Sequence, residues 1–276
     1  MTSSSKKFSS LGQRAVTALF GAAIILGSLV LGKWAYFAVF FVISLFAQVE
    51  FYQLTRLDEK FPLKTWGTII GLMIFVLSFL IEAGILELKY MLVVFPFLAS
   101  VFMIKLYKKN DEKPFTNVAY TFLGIIYVAI PFSLLNILAF HNGDFSYEVI
   151  MGMVLIIWAS DTGAYFAGIT MGRRKLFERV SPKKTWEGSF GGGLLALAMA
   201  FLLSRYFNDL KPLEWLVAAV IIVITGIYGD LVESLFKRSI EIKDSGSSIP
   251  GHGGFLDRFD SLILAIPFIV VFVEIF

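Results

Sequence analysis

The feature that most constrains this chain is repeated along it: stretches of roughly 20 apolar residues separated by short charged segments. A helix needs about 20 mostly apolar residues to cross ~30 Å of hydrocarbon, where nothing but the chain itself can satisfy the backbone N–H and C=O groups. Runs of this kind cover about 15–32, 34–50, 65–82, 88–105, 117–140, 149–171, 188–204, 214–230 and 261–276. The pattern predicts an all-α fold, a polytopic integral membrane helical bundle of about nine transmembrane helices, whose first two form a hairpin around Lys33. The composition agrees, at 57% hydrophobic and 16% charged residues, far from the balance of a soluble domain. No 20–50-residue repeat and no linker divides the chain, so residues 1–276 are expected to form a single integral membrane domain.

The charges that remain are unevenly placed. With nine spans and a cytoplasmic N-terminus, 20 of the 24 Lys and Arg fall on the cytoplasmic side, and only Lys33, Lys89, Arg205 and Lys211 fall opposite. Positive residues are retained on the cytoplasmic side of membrane proteins, so this asymmetry supports the topology. Residues 1–14, MTSSSKKFSSLGQR, are expected to be a mobile cytoplasmic tail ahead of a retained first span, because no small-residue cleavage site follows the first apolar run. A formal net charge of +3 makes no case for nucleic acid, and the absence of cysteine excludes a disulfide framework, a thiolate nucleophile and a cysteine-based zinc site.

Three polar constellations stand out against this background. In IWASDTGAYFAGITMGRRK, Asp161 lies inside the sixth apolar stretch, where a carboxylate at mid-membrane costs on the order of 3 kcal/mol and needs compensation. It is either half of a buried ion pair or a carboxylate facing a polar cavity. In SPKKTWEGSFGGG, Ser181-Pro182 reads as a helix start. Lys183, Lys184 and Thr185 at such a terminus would suit phosphate oxygens, although membrane anchoring by the two lysines accounts for them equally. In YGDLVESLFKRS, a helical reading stacks Asp230, Ser234 and either Lys237 or Arg238 on one face, a carboxylate, a hydroxyl and a cation along one wall.

The segment that follows has turn composition as far as Gly254 and then opens the last helix, with Asp257 and Asp260 three residues apart on one face. Glycines ahead of a helix let backbone N–H groups approach an anion. Magnesium is held by one or two carboxylates together with substrate phosphates, a description that suits Asp230 and Asp257. His252 is a base, a phosphate donor or a plain loop residue. The P-loop, zinc-protease and nucleophile-elbow patterns do not occur in the sequence.

The run from Ser234 to Asp260, SLFKRSIEIKDSGSSIPGHGGFLDRFD, resembles the signature of the phosphatidate cytidylyltransferase (CDP-diacylglycerol synthase) family without departure. SPKKTWEG at Ser181–Gly188 and the D-T-x-A-Y of Asp161–Tyr165 also look like segments of that family. Over the first 145 residues the likeness is only one of kind, so residues 145–276 are expected to be the catalytic half. The resemblance implies transfer of a cytidylyl group from CTP to phosphatidate, giving CDP-diacylglycerol and pyrophosphate in phospholipid biosynthesis. It also implies a divalent cation, surrounding membrane lipids, a bacterial inner membrane or an equivalent organelle membrane, and in many members a homodimer. On that basis Asp230, Ser234, Lys237 and Asp257 are the expected catalytic residues, with Mg²⁺ on Asp230 and Asp257. Asp161, Lys183, Lys184, Thr185, Arg238, Lys243, Asp244, His252 and Arg258 are the expected substrate-binding residues.

Two other classes remain open on residues alone. Another CTP-dependent lipid cytidylyltransferase or a lipid kinase would share the charge logic and use a different acceptor. A transporter would use Asp161 and the glycine-rich spans to line an ion path, although the polar residues other than Asp161 gather toward one side of the membrane.

Overall fold

A computed structural model of the chain describes residues 3–57, 62–109, 111–242 and 254–276. It is built almost wholly of helices: α1 (Ser3–Val30), α2 (Lys33–Leu57), α3 (Lys64–Glu82), α4 (Val94–Leu106), α5 (Pro114–Gly124), α6 (Ile130–Phe140), α7 (Glu148–Met171), α8 (Trp186–Leu203), α9 (Pro212–Ser239) and α10 (Asp260–Ile275). Among the described residues, seven helical segments are long and apolar enough to cross a membrane: 33–55, 64–82, 88–106, 114–140, 148–171, 186–203 and 212–239. Two of the nine expected spans are shorter. The apolar part of α1 is Val16–Val30, and α10 has 16 residues. Residues 3–14, read above as a tail, form the first turns of α1. Large apolar side chains such as Leu19, Phe95, Phe166, Phe190 and Leu194 are exposed along the helix surfaces, as a lipid-embedded protein requires.

The element ends follow from local chemistry. Gly32 takes φ +108° between α1 and α2, a conformation open to glycine at no steric cost. Pro212 occupies the first turn of α9, and the Lys211 N–H donates to Glu214 Oε2 at 2.7 Å. The segment from α5 to α6 is continuous but passes through a π-helical turn at Ile125–Ala129, where the Ile130 N–H donates to the Ile125 carbonyl. Pro131 follows at once, and its missing N–H favours such a change of hydrogen-bond ladder.

Packing separates into a large core and a small satellite. Tyr36, Phe40, Phe75, Phe79, Phe132, Leu135 and Trp215 fill the large one, and Ile70, Val101, Val118 and Ile125 the other. Polar groups inside are paired across helices: Tyr36 Oη donates to Asn136 Oδ1 at 2.9 Å, and Asn136 Nδ2 to the Phe75 carbonyl at 3.1 Å. At the end of the bundle where α7 begins, Glu148 accepts from the backbone N–H groups of Asn208 (2.5 Å) and Asp209 (2.8 Å). The opposite end, where α7 and α9 finish and α8 and α10 start, carries the polar constellations.

One of the expected starts is corrected here. Ser181-Pro182 does not begin a helix; Ser181–Thr185 is a strand paired antiparallel with Lys175–Phe177, and α8 begins at Trp186. Thr185 is the cap, its Oγ1 accepting from the Gly188 N–H at 3.2 Å. The signal was displaced by four residues, because a serine–proline pair suits an extended edge as well as a first turn.

Close backbone approach sets the position of this end. A Cβ on Gly191 would lie 2.3 Å from the Ala167 Cβ, and one on Gly229 would lie 2.5 Å from the Asp260 carbonyl oxygen. The second contact is with backbone, which cannot swing aside, so Gly229→Ala must part α9 from α10. Such overpacking costs about 1–3 kcal/mol. Thermal unfolding of the detergent-solubilised variant is expected to show a lowered midpoint and reduced activity, with Gly193→Ala, where the nearest atom is 3.9 Å away, as the silent control.

Candidate active site

At the α8–α10 end the helices enclose a cavity of about 370 Å³. Its deep wall is apolar, from Ile157, Ile222, Val223 and Ile227, and its outer wall carries Asp161, Lys183, Lys184, Asp230, Asp257, Arg258 and Asp260. Residues from four separated stretches of sequence therefore converge. Asp161 comes from α7, Lys183 and Lys184 from the hairpin strand, Asp230 from α9, and the last three from the segment leading into α10.

The hairpin reaches the cavity because its two ends are tied. Glu187, in the first turn of α8, accepts from the backbone N–H groups of Arg173 (3.0 Å) and Arg174 (3.2 Å), closing the connection from α7 back to α8. Lys184 is thereby brought to Asp230, with which it forms an ion pair. Asp161 opens onto the same cavity, in electrostatic reach of Lys184, Asp230 and Arg258. Of the two readings left open for Asp161, the cavity-facing carboxylate is the one the geometry favours.

Asp257 does not belong to the last helix. It sits in a separate 3-10 turn, Leu256–Arg258, and α10 begins at Asp260. Phe259, with φ −124° and ψ 3°, interrupts the ladder between them. Three residues make one turn of a 3-10 helix, and both carboxylates still line the cavity. Lys237 donates to Asp257 Oδ1 at 2.7 Å and stands 3.6 Å from Glu233 Oε1. Glu233 is 1% exposed and adjoins Asp257 and Asp260 behind the cavity wall.

The expected wall of Asp230, Ser234 and a cation is only partly assembled. Asp230 lines the cavity, and Lys237 touches it indirectly through Asp257. Ser234 is not part of the lining. Arg238 is exposed and its Nη1 donates to the Ile242 carbonyl at 3.3 Å. Thr185 lines the cavity while its hydroxyl oxygen caps α8. Lys243, Asp244 and His252 lie outside the described residues.

Four residues with evident roles were missed by sequence reasoning. Glu187 and Glu233 differ from ordinary helix-end charges only in what they meet in space, and Asp260 was read as the companion of Asp257 without a role of its own. Glu50 of α2 is the fourth. It is 3% exposed and accepts from the N–H groups of Phe255 and Leu256. Its signal was a carboxylate at the end of an apolar run, the kind of intramembrane charge that calls for a partner.

The donor set was compared with the needs of a divalent cation. Among the described residues no group of three or more His, Cys, Asp or Glu forms a self-sufficient metal cage. Magnesium does not need one, since one or two carboxylates plus phosphate oxygens and water complete its octahedron. Asp230 and Asp257 both line the cavity, two carboxylates of the kind such a shared site uses.

Comparison with known proteins fits this geometry. The sequence profile of the cytidylyltransferase family matches residues 12–276. The chain is 31% identical over 275 residues to the phosphatidate cytidylyltransferase of Bacillus subtilis, covering 96% of this chain and 98% of that one. It is 34% identical over 262 residues to the protein of the same name from Staphylococcus epidermidis, covering 92% and 95%. With the Haemophilus influenzae phosphatidate cytidylyltransferase the identity is 42% over 137 residues, 48% of each chain. The chain belongs to the cytidylyltransferase family.

The tie through Glu187 carries a measurable consequence. Glu187→Ala removes the acceptor for two backbone donors at the root of the hairpin, those of Arg173 and Arg174. Limited proteolysis is expected to cut the variant in the 173–185 segment faster than wild type, with turnover reduced because Lys183 and Lys184 lose their fixed approach.

Proposed function

We propose that this cavity transfers the cytidylyl group of CTP to phosphatidate, releasing CDP-diacylglycerol and pyrophosphate. The observation that carries the reading is the meeting, in one cavity, of the signature residues Asp257 and Arg258 with Lys183, Lys184, Asp161 and Asp230, directly beside an apolar wall. The names of the full-length relatives point to the same acceptor and nucleotide.

Both substrates are polyanions, so the task is to bring a phosphate monoester against a triphosphate. Positioning and neutralisation dominate such a reaction, because phosphate transfer leaves little covalent work for the protein. A phosphate oxygen of phosphatidate attacks the α-phosphorus of CTP, the bond from that phosphorus to the β-phosphate oxygen breaks, and pyrophosphate leaves with the electron pair. Phosphatidate is already ionised at neutral pH, so no side-chain nucleophile takes part. Lys183, Lys184 and Arg258 supply countercharge within the cavity, and Lys237 orients Asp257. Asp230 and Asp257 would hold Mg²⁺ jointly with the phosphates, where the ion would neutralise charge on the reacting oxygens. In this reading Arg238 and Lys243 would add countercharge for pyrophosphate or the lipid phosphate, Ser234 would hydrogen-bond a phosphate, and Asp244 and His252 belong to the substrate-binding set.

The apolar wall from α7 and α9 would take the first part of the acyl chains, leaving the rest in bilayer. A nine-span topology, in which α1 and α10 also cross, would put the site on the cytoplasmic face of a bacterial inner membrane, where CTP is found. Its basic surroundings agree with retention of positive charge on that side. The resemblance further implies a homodimer, which the mass of the detergent-solubilised protein would reveal.

The decisive assay supplies CTP, phosphatidate and Mg²⁺ to purified protein and follows CDP-diacylglycerol and pyrophosphate, expected in equal amounts; a product from another lipid acceptor in their place would reassign the substrate. Asp257→Asn is expected to abolish transfer while leaving membrane insertion intact, and near-normal turnover would remove Asp257 from the metal. Lys183→Ala is expected to raise the KM for CTP or lower kcat by about tenfold, whereas an unchanged profile would return that lysine to anchoring.

A further inference from the structure

The first half of the chain enters the site region through one face of α2. Glu50, 3% exposed, accepts from the Phe255 N–H through Oε2 at 2.8 Å and from the Leu256 N–H through Oε1 at 3.1 Å. These donors stand at the entry to the 3-10 turn Leu256–Arg258, where a helix start has no internal acceptor to offer. Asp257 is the next residue. The direction in which the turn leaves Glu50 therefore sets where the Asp257 carboxylate is presented.

Ring contacts from the same stretch of α2 reach the same region. Phe51 stacks on Phe236 with centroids 5.4 Å apart and planes at 15°. Phe236 adjoins Lys237, whose Nζ holds Asp257 Oδ1 at 2.7 Å. Phe46 packs on Phe255 at 5.7 Å. Within six residues of α2 there are thus contacts to both segments that meet in the Lys237–Asp257 pair. A carboxylate is suited to this place because it offers an acceptor oxygen to each of two neighbouring N–H groups. An amide of the same shape offers one oxygen and turns its own N–H₂ against the second donor.

We infer that Glu50 is a positioning residue for cytidylyl transfer, acting by fixing the turn that presents Asp257; the inference rests on the reading of Asp257 as a reaction-site carboxylate. Glu50 itself touches no substrate. Its loss should act on the chemical step and spare the binding of the lipid, whose apolar wall comes from α7 and α9.

The test compares wild type with Glu50→Gln in detergent, measuring kcat and KM for phosphatidate together with gel-filtration profile and thermal midpoint. The expected result is a folded variant whose kcat falls about ten- to a hundredfold, as a misplacement near 1 Å produces, with the phosphatidate KM within about twofold. A folded variant with wild-type kcat overturns the inference, as does an equal loss in both parameters. If Glu50→Gln does not fold, Glu50→Asp keeps the charge and shortens the reach. A folded Glu50→Asp with lowered kcat and unchanged KM supports the inference, and wild-type kcat, or failure of both variants to fold, overturns it in favour of a packing role. Wild-type protein that makes no CDP-diacylglycerol removes the proposed function and the inference together, whereas active wild type with unaffected variants removes the inference alone.

Discussion

Two lysine–carboxylate meetings, Lys184 with Asp230 and Lys237 with Asp257, determine how the polar end of this bundle is arranged. A carboxylate among apolar helices is tolerable only when a cation or several donors reach it. Lys184 reaches Asp230 because the Lys175–Phe177 and Ser181–Thr185 hairpin folds back over the helices. Lys237 reaches Asp257 because the 3-10 turn lies against the end of α9. Breaking either meeting by removing one partner leaves a charge in a half-buried place, which is far costlier than never having placed the pair there. Lys184 lines the cavity itself, whereas Lys237 stands behind it and meets it through Asp257.

Those meetings require helices that come unusually close. Gly191 lets α8 lie against Ala167 of α7, and Gly229 lets α9 touch the first residue of α10. Without a hydrophobic drive between helices in lipid, small residues that allow backbone approach are a main source of packing energy. The glycines therefore serve the site through distance: Gly229 precedes Asp230 in sequence and contacts Asp260 in space, so one close approach locates two carboxylates of the cavity wall.

Much of this was legible in the sequence, and the reasons are physical. Apolar runs must be helices in hydrocarbon, so most spans could be read to within a few residues; α9 runs nine residues past its expected end at 230, and α1 and α10 fall short of the length that composition alone can certify. Asp161 and Asp230 stood out because ionised groups are rare inside such runs. The convergence of SPKKTWEG with the Ser234–Asp260 segment was legible only through family resemblance, since neither spacing nor periodicity says which helix ends meet. The hairpin at Ser181 was hidden because Ser-Pro serves both a first turn and an edge strand. Asp257 was placed on the last helix because the break at Phe259 has no glycine or proline to mark it.

Glu50 shows why a motif that is specific in sequence can still be incomplete in space. The Ser234–Asp260 segment carries the family-like charges, and its described part enters α10 through the short 3-10 turn Leu256–Arg258. Functional side chains must be held to within ~0.5 Å by their supports, so under the proposed function the turn that carries Asp257 needs a partner outside itself. Two charge-assisted hydrogen bonds from a buried carboxylate, backed by the Phe51–Phe236 stack, are a stiffer restraint than the turn supplies. The restraint comes from the other half of the chain, and Glu50 and Phe51 can supply it because both are themselves buried among the helices that pack on α2.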